Sequence, residues 1–373
     1  PAGSDLPSVR RGGPRVGGTV LLSVDGLPES ALQFYADAPP PASLEALGQH
    51  AIQIMLHHGA VTREPAAATS LITGQLPRTH GVRRWDQAVD PELPTLATPF
   101  AAAGLPTAAL STLPLFSQTG LGSQFDRADE FPDADALGRA VRQWLTDRDD
   151  DDGFLLWAHL HPGKDDPLAA LAQLVDAAVA GLRGARQYES ATLFVTGTFG
   201  RRGPERAGAA RTPFLAKLPS RTSAGTVRIG PTSILDVAPT LAEFQRVGSL
   251  GVGPGRSLVA GRPMPLRSGP GLPAPVPLEW LARGGPDVLV LRDDVAALTD
   301  EPGVYDLRRD PGALRNRQTE PDAEALRATL TDSWSDLLER LPAAREPRPE
   351  PLSEVARERL EAEALGRARM EAA

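Results

Sequence analysis

The sequence contains no cysteine. That excludes disulfides, thiolate metal sites and cysteine nucleophiles, but leaves the compartment open, since exported and cytosolic proteins can both lack thiols. Positive charge is not in excess either: 39 Lys and Arg stand against 47 Asp and Glu, for a formal net charge of −8. With no basic cluster and no aromatics interleaved with one, nucleic acid and anionic membrane surfaces are set aside as partners. No apolar run reaches the roughly 18 residues that a membrane-spanning helix needs. Pro1 in place of an initiator Met points to processing or trimming, so a signal peptide, if one existed, is expected to lie outside this sequence.

What is present is 41% apolar residues in a chain of 373, enough to bury a substantial core. Residues 1–18 are rich in glycine, proline and arginine without a hydrophobic period, and read as a lead-in linker. "TVLLSV" (Thr19–Val24) is an almost continuous apolar run, the pattern of a central parallel strand covered on both faces, and it ends at Asp25-Gly26. Helical patterns follow at Ala42–His58, Pro65–Thr73, Ala134–Thr146, Pro167–Arg183 and Ser233–Phe244. Strand patterns fall at Thr107–Leu110, Phe154–His161, Thr192–Thr196 and Thr212–Leu218. This alternation predicts an α/β protein with a mostly parallel sheet and helices on both sides, over residues 19–260. Proline and glycine are dense from Gly248 to Pro286 and lead into a smaller α+β unit, 261–340, with strands at Asp287–Arg292 and Gly303–Leu307 and a helix at Pro321–Arg340. A charged tail, 341–373, carries a last helix at Ser353–Met370, which either docks on a partner or packs on its own domain.

Several segments, in order, resemble the sulfatase family of the alkaline phosphatase superfamily. "LLSVDGL" is similar to the opening strand and metal-binding Asp, and "SLITGQLPRTHGV" to the Leu-Leu-Thr-Gly…Pro…His-Gly signature. "AAAGLPTAAL", "SILDVAPTLAEF", "GRSLV" and "VYDLRRDPGALRN" match further family elements, so that the likeness spans roughly residues 19–335. The resemblance implies a three-layer α/β/α fold. It also implies a divalent cation, typically calcium, held among carboxylates and an amide or imidazole beside a nucleophile. Family habit further suggests an exported or periplasmic protein.

The site positions depart from that pattern. The family's Ser-Asp-His-Gly falls on Gly197, Thr198, Phe199 and Gly200, so a metal carboxylate becomes a threonine and an imidazole a phenyl ring, which has no lone pair to offer. Counting back from Gly74 puts the nucleophile on Glu64; counting from the nearby proline puts it on Arg63, and a small slip puts it on Thr62. The family's stabilising arginine falls on Ala68, and its Lys and His on Ser111 and Thr112. Asp25 is the one family ligand retained among the positions that can be placed. The sequence therefore predicts loss of the inherited chemistry and no cofactor.

Two rivals stay open. In the first, Asp25 joins His159 and His161, whose alternation in "HLH" points both imidazoles the same way, and Thr62 is the candidate hydroxyl, in a rebuilt metal-dependent sulfate or phosphate ester hydrolase. In the second, the arginines of "GRRGPER", Arg201 and Arg202 first, contact an anion and the protein binds a sulfated glycan without cleaving it. The leading expectation is a catalytically inactive sulfatase-like binding, scaffold or regulatory subunit with a protein partner. His57-His58 read as the cationic end of a helix, His80 as a structural turn residue, and "DRDDDDG" (Asp147–Gly153) as a solvated turn.

Overall fold

The structure, a computed structural model, describes residues 17–32, 40–149, 153–163, 165–200, 210–251, 253–259, 276–280, 287–292, 295–298, 303–306, 310 and 315–361. Arg201, Arg202, Asp150 to Asp152 and the end of the last helix lie outside them, as does most of the 1–18 lead-in.

The chain opens with β1 (Thr19–Val24), α1 (Ala42–His50), β2 (Ile52–His58), α2 (Ala66–Thr73), α3 (Pro77–His80), β3 (Gln87–Ala88), α4 (Ala97–Ala102) and β4 (Thr107–Ser111). It continues through α5 (Leu115–Thr119), β5 (Arg127–Glu130), α6 (Ala134–Thr146), β6 (Leu155–Leu160), α7 (Pro167–Gly184), β7 (Thr192–Gly197), β8 (Phe214–Lys217), β9 (Val227–Ser233) and α8 (Val237–Gln245). Among the described residues the main sheet has eight strands, in the order β5-β4-β6-β1-β7-β8-β2-β9. All neighbours are parallel except around β8, which runs against both β7 and β2. β1 lies between β6 and β7 and every one of its residues is buried, as its unbroken apolar run requires.

Helices cover both faces. Leu22, Val24, Leu156, Leu160 and Val195 point into one buried cluster with α6 and α7, while Leu21, Trp157, Phe194 and Phe214 point into the other with α2, α4 and α8. α6 and α7 begin where Asp133 and Asp166 accept hydrogen bonds from Ala136 N and Ala169 N, each at 2.8 Å, and each such cap is worth about 1 kcal/mol. The two helices cross closely at Gly181, where a Cβ would sit 2.7 Å from Leu145 Cβ and 2.9 Å from the Arg142 carbonyl oxygen.

One helix is mispredicted. Ala42–His58 is not continuous: α1 stops at His50, and Ile52–His58 is a strand whose alternate burial follows Ile52-Gln53-Ile54. His57 and His58 are therefore buried strand residues rather than helix-capping ones, and burial depresses both imidazoles, His58 to about 3. β2 also bulges at Leu56, whose φ of 60° is held by a 2.6 Å hydrogen bond from its N–H to Glu29 Oε1. Arg211 pairs with that same carboxylate at 2.9 Å.

The segments "SILDVAPTL" and "GRSLV" meet in space. Asp236 accepts hydrogen bonds from Ser233 N and Arg256 N, both 2.9 Å, and Thr240 Oγ1 accepts from Leu258 N at 3.0 Å. Farther along are the strands β10 (Val276–Trp280), β11 (Asp287–Arg292), β12 (Val295–Leu298) and β13 (Val304–Asp306), an antiparallel sheet, then α9 (Ala323–Leu338). Trp334, Leu330 and Leu337 of α9 belong to the same buried cluster as α2 and α8.

The tail returns to its own core. β14 (Arg348–Pro349) pairs with β3. Gln118 receives Ser353 N at 3.1 Å and donates to the Pro351 carbonyl at 3.2 Å. Residues 354–361 form a helix whose Ala356 is fully buried and whose Arg359 donates to the Thr112 carbonyl at 2.9 Å. Of the two roles left open for this helix, the described part packs on the chain itself.

Candidate functional site

Parallel sheets place their polar groups at the carboxyl ends of the strands, because there the loops leave the ladder and are not bound to pack. Three such ends meet here. β1 delivers Asp25, β6 delivers His159 and His161, and β7 delivers Thr198; a fourth group, Glu64, arrives on the loop between β2 and α2. That loop lies tight against the end of β7, where a Cβ on Gly59 would stand 2.4 Å from the Thr198 carbonyl oxygen.

Asp25 is 1% exposed and is met from three sides. Thr198 Oγ1 donates to its Oδ1, while Oδ2 lies 3.1 Å from His161 Nδ1 and 3.3 Å from His159 Nε2. His161 Nδ1 is also 3.4 Å from Glu64 Oε1, so that one imidazole bridges two carboxylates. Burial works against the Asp25 carboxylate, but the two imidazoles outweigh it through charge and hydrogen bonding and hold its carboxyl well below the usual range. Burial likewise opposes a charged His161, yet its bonds to Asp25 and Glu64 prevail and push it up to about 10. His161 thereby stands as a charged ring between the side chains of Asp25 and Glu64.

Second partners fix these side chains. Thr112 Oγ1 accepts from His161 N at 2.7 Å and donates to His161 O at 3.1 Å, a clasp that sets the backbone of the bridging histidine. His159 Nδ1 bonds Ser23 Oγ at 2.9 Å, and the same oxygen accepts the Trp157 indole N–H at 2.9 Å. Ser23, His159 and Asp25 thus fall in the order of a hydrolase triad. They cannot act as one, because Ser23 and His159 are 0% exposed inside the sheet and no ester can approach the hydroxyl.

The sequence-derived positions sort as follows. Asp25, His159 and His161 come together, and Glu64 joins them. Thr198, where the resemblance expects a metal carboxylate, is a hydrogen-bond donor to Asp25. Phe199 packs in a buried cluster with Val61, Ala66 and Ala67, filling with hydrocarbon the place where the family pattern puts an imidazole. Ala68 lies in the main core. Thr62 is partly exposed and makes no hydrogen bond among the described residues, and the Arg63 side chain is exposed while its carbonyl starts the next helix by accepting Ala67 N at 2.9 Å. His80 has a structural place: its Nε2 meets Ser70 Oγ at 3.0 Å and its Nδ1 accepts Val82 N at 3.1 Å. What sequence reasoning missed is Glu64 as a partner of His161. It stood out only as a replaced nucleophile, and no local pattern joins it to a residue 97 positions away.

The donors suit a divalent cation. Ligand atoms of Asp25, Glu64 and His161 all lie within 4.8 Å of one another, two of them carboxylate oxygens and one a ring nitrogen. Asp25 is therefore not a solitary acid, as the count of family ligands suggested.

No protein-family model matches the chain, and no curated protein matches it in sequence. Solved structures do match. A phosphonate monoester hydrolase of Agrobacterium radiobacter superposes with a TM-score of 0.72 at 14% identity, over 87% of this chain and 96% of the other. A protein solved in complex with its substrate D-glucosamine-2-N,6-O-disulfate superposes with a TM-score of 0.73 at 10% identity, over 88% and 99%. A 2-O glycosaminoglycan sulfatase gives 0.65 at 14%, over 92% and 99%. At such identities the likeness speaks for architecture and leaves chemistry to the side chains. The sulfatase-like resemblance of the sequence is thus matched in three dimensions: this chain has the α/β fold that sulfatases and phosphonate monoester hydrolases share.

Proposed function

We propose that the protein is a hydrolytically silent member of this fold, working as a binding or scaffold subunit rather than by cleaving esters. One observation carries the reading. Of the positions that the resemblance allows for the nucleophile, Glu64 or Arg63 with Thr62 a slip away, Glu64 is the one that reaches the site, and its carboxylate faces His161 at 3.4 Å in a buried cluster rather than presenting a hydroxyl to solvent. Ester cleavage on this fold needs an oxygen nucleophile that attacks and then leaves the acyl, sulfuryl or phosphoryl centre. A carboxylate bound to an imidazolium is a poor candidate, and the hydroxyls that touch the cluster are committed: Thr198 to Asp25, Thr112 to His161 and Ser23 to His159, which leaves Thr62, partly exposed and outside the cluster, as the hydroxyl that the test below has to exclude.

The test is turnover of aryl sulfate, aryl phosphate and aryl phosphonate esters by the whole chain, with zinc, manganese or calcium supplied. Rates equal to those of Asp25→Asn are expected. Multiple turnovers that Asp25→Asn abolishes would overturn the proposal and establish the second reading, a metal-dependent hydrolase with a rebuilt centre, which the donor cluster of Asp25, Glu64 and His161 favours. Retained affinity for sulfated glycans is checked in the same preparation by calorimetry against sulfated oligosaccharides, with Arg201→Ala and Arg202→Ala as controls.

A further inference from the structure

We propose that residues 345–361 form a detachable latch at the carboxyl edge of the sheet. Docked, the latch holds the wall that carries His161, through Arg359 and Thr112; released as one unit, it opens the cluster of Asp25, Glu64 and His161 to solvent. The proposal goes beyond the reading above and holds whether or not the protein cleaves esters.

The grip is a single file of polar contacts. Arg345 N donates to the Arg78 carbonyl at 2.9 Å, the Arg345 guanidinium pairs with Asp90, β14 lies on β3, and Glu350 N reaches the Asp86 carbonyl at 2.8 Å. Gln118 then holds Ser353 N and the Pro351 carbonyl. At the far end the Arg359 guanidinium donates to the carbonyls of Thr112 and Phe131, the residues that follow β4 and β5, with Glu130 Oε2 at 3.9 Å. β4 lies next to β6, and Thr112 carries the hold across, because its hydroxyl clasps both backbone groups of His161. One arginine of the tail therefore fixes the loop whose hydroxyl sets the bridging histidine.

Little apolar surface keeps the latch shut. Of residues 345–361 only Ala356 is buried, and Val355 beside it is exposed. The start of the latch spans a cavity of about 360 Å³, with Arg345 and Arg348 on one side and Ala88 and Asp90 on the other. A segment that buries one alanine gains little from the hydrophobic effect, and an exposed ion pair such as Arg345 with Asp90 adds little more. Segments held in this way are the ones that open locally while the core stays folded. The docked state is also the closed state of the site: the side chains of His161 and Glu64 are 9% and 6% exposed, so a group approaching from solvent reaches them only when the wall moves.

Amide hydrogen exchange on the full chain, read at residue level by mass spectrometry, tests this directly. The His161 N–H, held by Thr112 Oγ1, is expected to exchange through the same opening as residues 351–361. Arg359→Ala should speed both by about 10-fold and leave β7 unchanged. A second arm closes the latch instead. Ala88 and Arg348 are cross-strand partners, at a separation that a disulfide spans, and the chain has no cysteine to compete. Ala88→Cys with Arg348→Cys, oxidised, should slow exchange at the latch and at His161 by about threefold, and dithiothreitol should restore both. This arm decides the matter if Arg359→Ala does not fold. Exchange at His161 that follows neither change, a disulfide that slows the latch alone, or acceleration of β7 as large as that of His161 in Arg359→Ala would each overturn the proposal. None of these outcomes depends on ester turnover, so the fate of the functional proposal is read separately.

Discussion

Two buried aspartates follow strands of the same sheet, and their surroundings differ in kind. Asp236 is a staple: its oxygens accept two backbone N–H groups, its side chain closes a capping box with Ser233, and Arg256 stands beside it with Nε at 3.8 Å. Burial still dominates there and raises its carboxyl above the ordinary value. Asp25 is buried as deeply, but its neighbours are two imidazoles and a hydroxyl, and they lower it instead. A carboxylate satisfied by backbone and guanidinium has one stable arrangement and serves the fold. A carboxylate between two imidazoles and a hydroxyl has partners whose hold on it depends on their protonation, so its arrangement can change. Burial alone does not distinguish structure from function; the exchangeability of the partners does.

That contrast can be broken by experiment. The largest effect is expected from Asp236→Ala, which removes the carboxylate beside the buried Arg256 and opens the capping box of the turn that leads into α8; unfolding stability should fall by about 3–5 kcal/mol, read from urea transitions. A loss below about 1 kcal/mol would show that Asp236 does not staple the fold.

Acid should come next. His58 and His80, both buried, are held neutral to about 3, chiefly by burial and next by the charges of Arg211 and Arg83 respectively. The unfolded chain takes up their protons near 6.5, the folded one does not, so their contribution is present above that pH and is lost as pH falls toward 3. From pH 7 to pH 5 each should remove about 2 kcal/mol. Urea midpoints at the two pH values check this, and replacing His80 by a neutral residue should flatten the slope.

The smallest effect is expected from Thr198→Val, which keeps the shape and removes the hydroxyl donor to Asp25. A cost of about 1 kcal/mol in urea unfolding is expected. A cost as large as that of Asp236→Ala would mean that Asp25 too is chiefly a staple, and the distinction would fail.

Much of this was legible in the sequence, and the reason is the same wherever it was. β1, α6 and β11 have the boundaries that their apolar runs and periods indicate, because a continuous apolar hexamer or an amphipathic 3.6-residue period is a local signal. β2 was lost inside a helical reading because Ile52 and Ile54 continue the apolar density of α1, and the switch of period from 3.6 to 2 spans too few residues to register. β5 and β9 carry too few apolar residues to announce themselves: Arg127–Glu130 is held by β4 alone, on the edge of the sheet.

The sequence by itself determined the layered α/β plan, the strand that presents Asp25, and the alternation that turns His159 and His161 to one side. Only the tertiary structure decided that Glu64 would face His161, that Phe199 would fill its place with hydrocarbon, that Asp236 and Arg256 would meet, and that the tail would lie on its own core. Period and propensity act over a few neighbours along the chain. The meeting of a loop after β2 with the end of β6 depends on strand order, which is settled when distant segments compete to bury the same surface.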